Sequence, residues 1–420
     1  MSFIKNTESI DLNPQNEGKR KQKRFGYSVL KHIGKIVVCV LSFVSLTLIP
    51  YHDVVKLKEY WYESIFHWIF GALPCYVGVV VTRFKMMFED YAKSVIPTSS
   101  MLQIYFSAVV AFILSFILRH LIWSGYLEYN SPTPFQLFID GYISILAFWV
   151  ALWYKLPEDL RSNILLRSRL ISYCWFALWS SSLPLQILVL LKMFSMLNEE
   201  LQWITAIMIT IQKVMNNLVM EKFACNAVKS ENNVNAIGIT TIYAATVYKI
   251  VVVILIGSKA NIVTGYCILA IQFLMNMYLC VKIIRLHRQS VEDINQAENL
   301  QKKKDEYLVK LMLNEIVESL TPIMFIIAFM FAYFGPNAKI IGNIQNGYWQ
   351  FKAVNDIHAY LSGILYTASV DLSSVVISLH LLWGFCRIDG LKFVIENFGR
   401  FGTVMMFNIF SCMNFVSIIP

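Results

Sequence analysis

The sequence predicts an all-α, polytopic transmembrane helical bundle of about eleven spans, ten if the last lies in the interface, with the N-terminus cytoplasmic. Three observations carry that expectation. Of 420 residues, 57% are apolar and 15% charged, with a mean hydropathy of +0.55, whereas a soluble chain carries about 25% charged residues. Apolar runs of span length recur from residue 34 to residue 419. Basic residues alternate between rich and poor connections, as the preference of Lys and Arg for the cytoplasmic side requires. This composition excludes a disordered chain, a disulfide scaffold and an ordinary cytosolic enzyme. Spans of about 20 residues also leave no room for a large soluble domain.

Residues 1–33 read as a basic cytoplasmic tail. The run Lys19-Arg20-Lys21-Gln22-Lys23-Arg24 lies shortly before the first apolar run, where it serves as a topology determinant and suits contact with anionic inner-leaflet lipids. The net charge of +9 needs no nucleic acid to explain it. The tail is polar and the first apolar run is full length, so a signal anchor is expected there rather than a cleavable signal peptide.

The first five spans, 34–51, 62–82, 99–118, 135–154 and 170–191, form a predominantly apolar scaffold over residues 34–191. Spans six to eleven, 201–221, 236–257, 262–281, 314–334, 359–385 and 401–419, fill residues 201–419 and carry most of the intramembrane polar groups. Pro184 and Pro322 fall inside spans five and nine, where proline frees a carbonyl and kinks a helix. With the N-terminus inside, the inner segments hold 27 basic residues and the outer connections 7, leaving two lysines within spans.

Between spans eight and nine, Val291, Ile294, Ala297, Leu300, Tyr307 and Leu311 recur at roughly helical spacing in a highly charged stretch. A cytoplasmic helical hairpin over 286–312 is therefore expected. The longest outer connection, 335–358, mixes Gly, Asn and aromatic residues and reads as a surface loop or a lid. The eight cysteines form no CxxC pair, and no Asn-x-Ser/Thr acceptor occurs; the thiols read as small buried side chains.

A charge at bilayer depth costs about 2.5–3.5 kcal/mol on insertion scales and usually faces a bundle interior. Lys249 stands thirteen positions into span seven, and Asp371 twelve positions into span ten. The two spans run in opposite directions. At about 1.5 Å rise per residue both groups lie near the midplane, where they can pair. Gly363, Thr367, Ser374 and Ser378 share one helix face with Asp371, a stripe that permits close packing or supplies oxygen ligands. Span six adds a polar face of Thr210, Lys213, Asn216 and Asn217 ending near Glu221. Span eight adds Gln272 and Asn276, and span nine adds Glu315 and Glu318 one turn apart. Asp140 lies near the outer end of span four.

No His/Cys/Asp/Glu cluster has metal-ligand spacing, and no Walker A, GxGxxG or GxSxG sequence is present, so neither a metal nor a cofactor is expected. The first reading of these residues is a secondary transporter of a small solute or ion. In it Asp371 is the proton or cation acceptor, Lys249 its counter-charge, and Thr367, Ser374, Ser378, Lys213, Asn216, Asn217, Gln272 and Asn276 line the path. The alternative is a channel or ligand-responsive receptor lined by the same face. Two further readings stay open: a membrane-embedded lipid acyltransferase built on His380 and Asn355, and a structural role in which buried charges staple helices.

Overall fold

The computed structural model describes residues 83–88 except 85, 98–126, 134–228, 233–257, 262–293, 296–334, 357–390, and positions between 392 and 409. The basic tail, the first span and the second, the 335–358 connection apart from its last two residues, and most of the last span lie outside these residues. Among the described residues the secondary structure is helical and contains no strand.

The long helices are α1 (Thr98–Tyr126), α2 (Pro134–Lys155), α4 (Ile164–Met196), α5 (Gln202–Val228), α6 (Val234–Gly257), α7 (Ile262–Glu292), α8 (Ala297–Phe334) and α9 (Ile357–Cys386), with the four-residue α3 (Glu158–Arg161) between α2 and α4. Each of the predicted spans three to ten falls on one of the long helices. The correspondence has a physical origin, since a helix is the element that satisfies its backbone polar groups within the segment. Three of them are long and apolar enough to cross a membrane, over Val234–Val253, Thr264–Glu292 and Leu361–Cys386. Shorter apolar helical stretches occupy Ser99–Ser115 and Tyr142–Lys155.

Local chemistry sets the helix ends. Asn163 accepts the backbone N–H groups of Leu165 and Leu166 through Oδ1 at 3.0 and 3.2 Å, capping α4. In α3, Glu158 and Asp159 occupy the first turn and Arg161 the last, the polarity that a helix dipole favours. After α9, Arg387 adopts φ 55°, the left-handed position that commonly terminates a helix. Four residues, 293–296, join α7 to α8, and the Glu221 carboxylate, at the end of predicted span six, pairs with the Lys310 ammonium across α5 and α8.

Helix α6 is the centre of the bundle. It packs against α4, α5, α7, α8 and α9, and its whole apolar window is buried. By contrast, α1 and α2 pair with each other and join the rest through contacts of α2 with α4. The outward faces are apolar: Leu102, Phe106, Val110, Leu114 and Leu118 line α1, and Trp203, Ile207, Ile211, Met215 and Leu218 line α5. The amphipathic pattern of a water-facing helix places polar residues on that side. Here the outer stripe is apolar while Lys213, Lys249, Glu315, Glu318 and Asp371 are buried within, an arrangement suited to lipid.

Two glycines allow close approach. A Cβ on Gly238 would stand 2.4 Å from the Phe401 ring, and one on Gly363 would stand 3.3 Å from Ile256 Cγ2. The second contact brings α9 against α6 two turns before Asp371.

Candidate functional site

Lys249 Nζ lies 2.5 Å from Asp371 Oδ2, joining α6 to α9. The ammonium also donates to Gln272 Oε1 on α7 at 3.3 Å. Lys249 is fully buried; an ammonium there loses its water shell, and the carboxylate and amide oxygen replace part of it.

A second ion pair ties α5 to α8. Lys213 Nζ stands 2.7 Å from Glu318 Oε1 and donates to Asn314 Oδ1 at 3.3 Å. Asn276, one turn after Gln272 on α7, donates to Glu318 Oε2 at 3.3 Å. Asn314 Nδ2 in turn donates to Asn276 Oδ1 at 3.0 Å. The two ion pairs therefore meet at one face of α7, where Gln272 serves the first and Asn276 the second.

The hydroxyl stripe of α9 divides in two. Ser374 and Ser378 both donate to Glu315 Oε1, at 2.8 and 2.9 Å. Thr367 instead donates to the Gly363 carbonyl of its own helix at 3.0 Å. About two turns of α9 separate these outcomes: the serines reach α8, while Thr367 returns its hydroxyl to the backbone, a common use of threonine inside a helix.

Asn216 belongs to a neighbouring arm. Its amide donates to Tyr248 OH at 2.7 Å and to Gln186 Oε1 at 2.9 Å, and its carbonyl oxygen accepts Trp179 Nε1 at 3.0 Å. Gln212 Nε2 also donates to Gln186 Oε1, at 2.9 Å. Tyr248 precedes Lys249 on α6, so this arm abuts the first ion pair along the central helix. Asn217 is half-buried, and its Oδ1 has no hydrogen-bond partner among the described residues.

Of the ten residues selected from sequence, Lys249, Asp371, Gln272, Lys213, Asn276, Ser374 and Ser378 join one buried cluster, Asn216 joins the adjacent arm, and Thr367 and Asn217 stand outside both. Glu315, Glu318 and Asn314 complete the cluster from α8. Gln186 and Tyr248 come from apolar runs where a single amide or phenol gives little signal. Arg83 is a further buried cation, at the start of the described chain. Counted by sequence among the inner-loop basic residues, it lies within the fold, donating to Asn408 Oδ1 at 2.6 Å and Ser180 Oγ at 3.2 Å, with its guanidinium 4.3 Å from the Tyr243 ring centroid. His380 is exposed on α9; Asn355 and Asp140 lie outside the described side chains.

Two ammonium groups and three carboxyl groups thus share the interior of α5 to α9. Such a cluster can exchange protons, hold a cation, or break and remake pairs as helices move. No group of three or more His, Cys, Asp or Glu side chains among the described residues is arranged to hold a metal ion. In comparisons with known proteins, no family model, curated protein or solved structure matches the chain.

Proposed function

We propose that the chain is an integral, multi-pass membrane protein of about eleven spans with a cytoplasmic N-terminus, acting as a secondary transporter of a small solute or ion. The observation that carries this reading is the buried ion pair between Lys249 and Asp371, 2.5 Å apart on neighbouring helices of an apolar bundle. It sits beside a second pair and a run of amides.

A buried pair has two states that differ strongly in energy. Closed, the charges neutralise each other. Opened, the carboxylate has lost its partner and favours taking a proton or a cation, because an isolated charge is poorly solvated there. A substrate that competes for either partner shifts the balance between the states, and helix movement coupled to that shift gives alternating access. Asp371 is the acceptor, Lys249 its counter-charge, and Gln272 holds the ammonium while the pair is closed. The basic N-terminal tail contacts anionic lipids of the inner leaflet.

A purely structural role is served by balanced pairs. The third carboxyl group, Glu315, exceeds what two ammonium groups neutralise and favours transport over stapling.

The test is solute-driven proton movement in vesicles carrying the purified protein, followed with trapped pyranine across a panel of amino acids, sugars and inorganic ions. The wild type responds to at least one of them. Asp371→Asn abolishes that response while still inserting in the membrane. An undiminished response in the variant removes the assignment, and a non-saturating current without proton coupling, recorded across a planar bilayer, assigns a channel instead.

A further inference from the structure

Glu315 is the one member of the buried cluster whose charge the surrounding side chains do not balance. Lys213 is engaged by Glu318, and Lys249 by Asp371. No cation among the described residues lies within ion-pair distance of Glu315. Yet Glu315 is 1% exposed. Its two oxygens are treated differently: Oε1 accepts the hydroxyls of Ser374 and Ser378, while Oε2 is buried with no hydrogen-bond partner among the described residues.

That asymmetry costs less for a neutral carboxylic acid than for a carboxylate. Its carbonyl oxygen is an acceptor only and is well served by two hydroxyl donors. The other oxygen carries the proton when the group is neutral. An ionised carboxylate in the same place would leave Oε2 desolvated and unpaired, with no adjacent cation to offset the cost.

The groups around Glu315 reinforce the point from each packed element. On its own helix, Glu318 stands one turn away, and Asp371 faces it from α9. The Cys280 thiol lies beside Ser378 on α7. The nearest ammonium groups, Lys249 on α6 and Lys213 on α5, are held by Asp371 and Glu318. Additional negative charge is therefore opposed from two sides, and the available positive charge is already used.

We infer that Glu315 is a proton-binding site: Oε2 takes up one proton to form a neutral carboxylic acid and releases it to regenerate the carboxylate, with Ser374 and Ser378 holding the carbonyl oxygen. Ser374 and Ser378 follow Asp371 toward the C-terminal end of α9, and Glu315 precedes Glu318 toward the N-terminal half of α8. The site consequently lies between the Lys249–Asp371 pair and the end of the bundle closed by the α7–α8 turn. A proton arriving from that end reaches Glu315 before Asp371. The inference deepens the transporter reading by naming a site that holds the proton on its way to Asp371, and it rests on that reading for its purpose though not for its detection.

The experiment is infrared difference spectroscopy on the purified full-length protein in lipid vesicles, with pH as the variable. The wild type shows the carbonyl-stretch band of a protonated carboxylic acid, which disappears as the pH is raised. Glu315→Gln, which keeps an oxygen for the two serines, lacks this band, whereas Asp371→Asn retains it. In Ser374→Ala/Ser378→Ala the band persists at higher frequency, because a carbonyl freed of two donors is stiffer. A wild type without the band, a band undiminished in Glu315→Gln, or a band unmoved in the double serine variant overturns the inference. So does loss of the band on adding sodium or potassium at constant pH, which assigns a metal cation to the site. Should Glu315→Gln fail to fold, the frequency shift in the serine variant decides the matter alone. The band reports on Glu315 whether or not any solute moves, so failure of transport and failure of this site are separable.

Discussion

Lys249 and Asp371 meet at 2.5 Å with side chains 0% and 6% exposed, so each is the other's principal substitute for water. Removing one partner of such a pair costs about 3–5 kcal/mol, while replacing both by apolar residues of similar volume is close to neutral. Lys249→Met is therefore expected to lower stability by that amount, and Lys249→Met/Asp371→Leu to recover most of it. Thermal unfolding in detergent checks both, and a double variant as unstable as the single one would show that the pair is not the source of the effect.

The bond from Asn314 to Asn276 links the amide that accepts from Lys213 to the amide that donates to Glu318. Each of Asn276→Ala and Asn314→Ala leaves a buried polar group unmatched, an expected loss of about 1–3 kcal/mol. Because the two are bonded to each other, the double variant should lose less than the sum, with a coupling of about 0.5–3 kcal/mol. Additive losses in a double-mutant cycle would mean that the network is not connected through this bond.

Space around two helix glycines gives opposite expectations. Gly238 faces the fully buried Phe401 ring, with 2.4 Å between that ring and an added Cβ. Gly238→Ala should overpack the interior and cost about 1–3 kcal/mol. Gly384 has no atom within 4 Å of an added Cβ, and Gly384→Ala should be neutral or stabilising by up to about 1 kcal/mol through helix propensity. Equal behaviour of the two in thermal unfolding would contradict this contrast.

Topology is testable with two engineered glycosylation acceptors. Tyr348→Thr turns Asn346-Gly347-Tyr348 into an acceptor in the proposed outer connection, and Ala297→Thr does the same for Asn295-Gln296-Ala297 in the proposed cytoplasmic hairpin. Expression with microsomes should glycosylate the first and leave the second unmodified. The reverse pattern inverts the proposed orientation.

Eight of the predicted spans coincide with long helices because apolar length and internal backbone bonding are properties of a segment, visible without its neighbours. The matching depths of Lys249 and Asp371 were legible for the same reason, since helical rise converts sequence position into depth. The small-residue stripe beside Asp371 was legible as a stripe, but not its division. Whether a hydroxyl reaches Glu315, as in Ser374 and Ser378, or returns to its own helix, as in Thr367, depends on how far α8 stands from α9. Gln186, Tyr248 and Asn314 carried no distinctive spacing at all. Arg83, at a predicted span end, looked like one more inner-loop cation, because burial among Ser180, Asn408 and Tyr243 arises from chain segments far apart in sequence.

Composition and periodicity thus determined that this chain is helical, apolar outside its polar stripes, and obliged to hide a small set of charges. Which acid answers which base, and which is left over, was settled only by packing. Helix rotation and separation are set by side chains that meet from different segments, and a shift of one residue along α8 exchanges Glu315 for a neighbour with no bond to the serines.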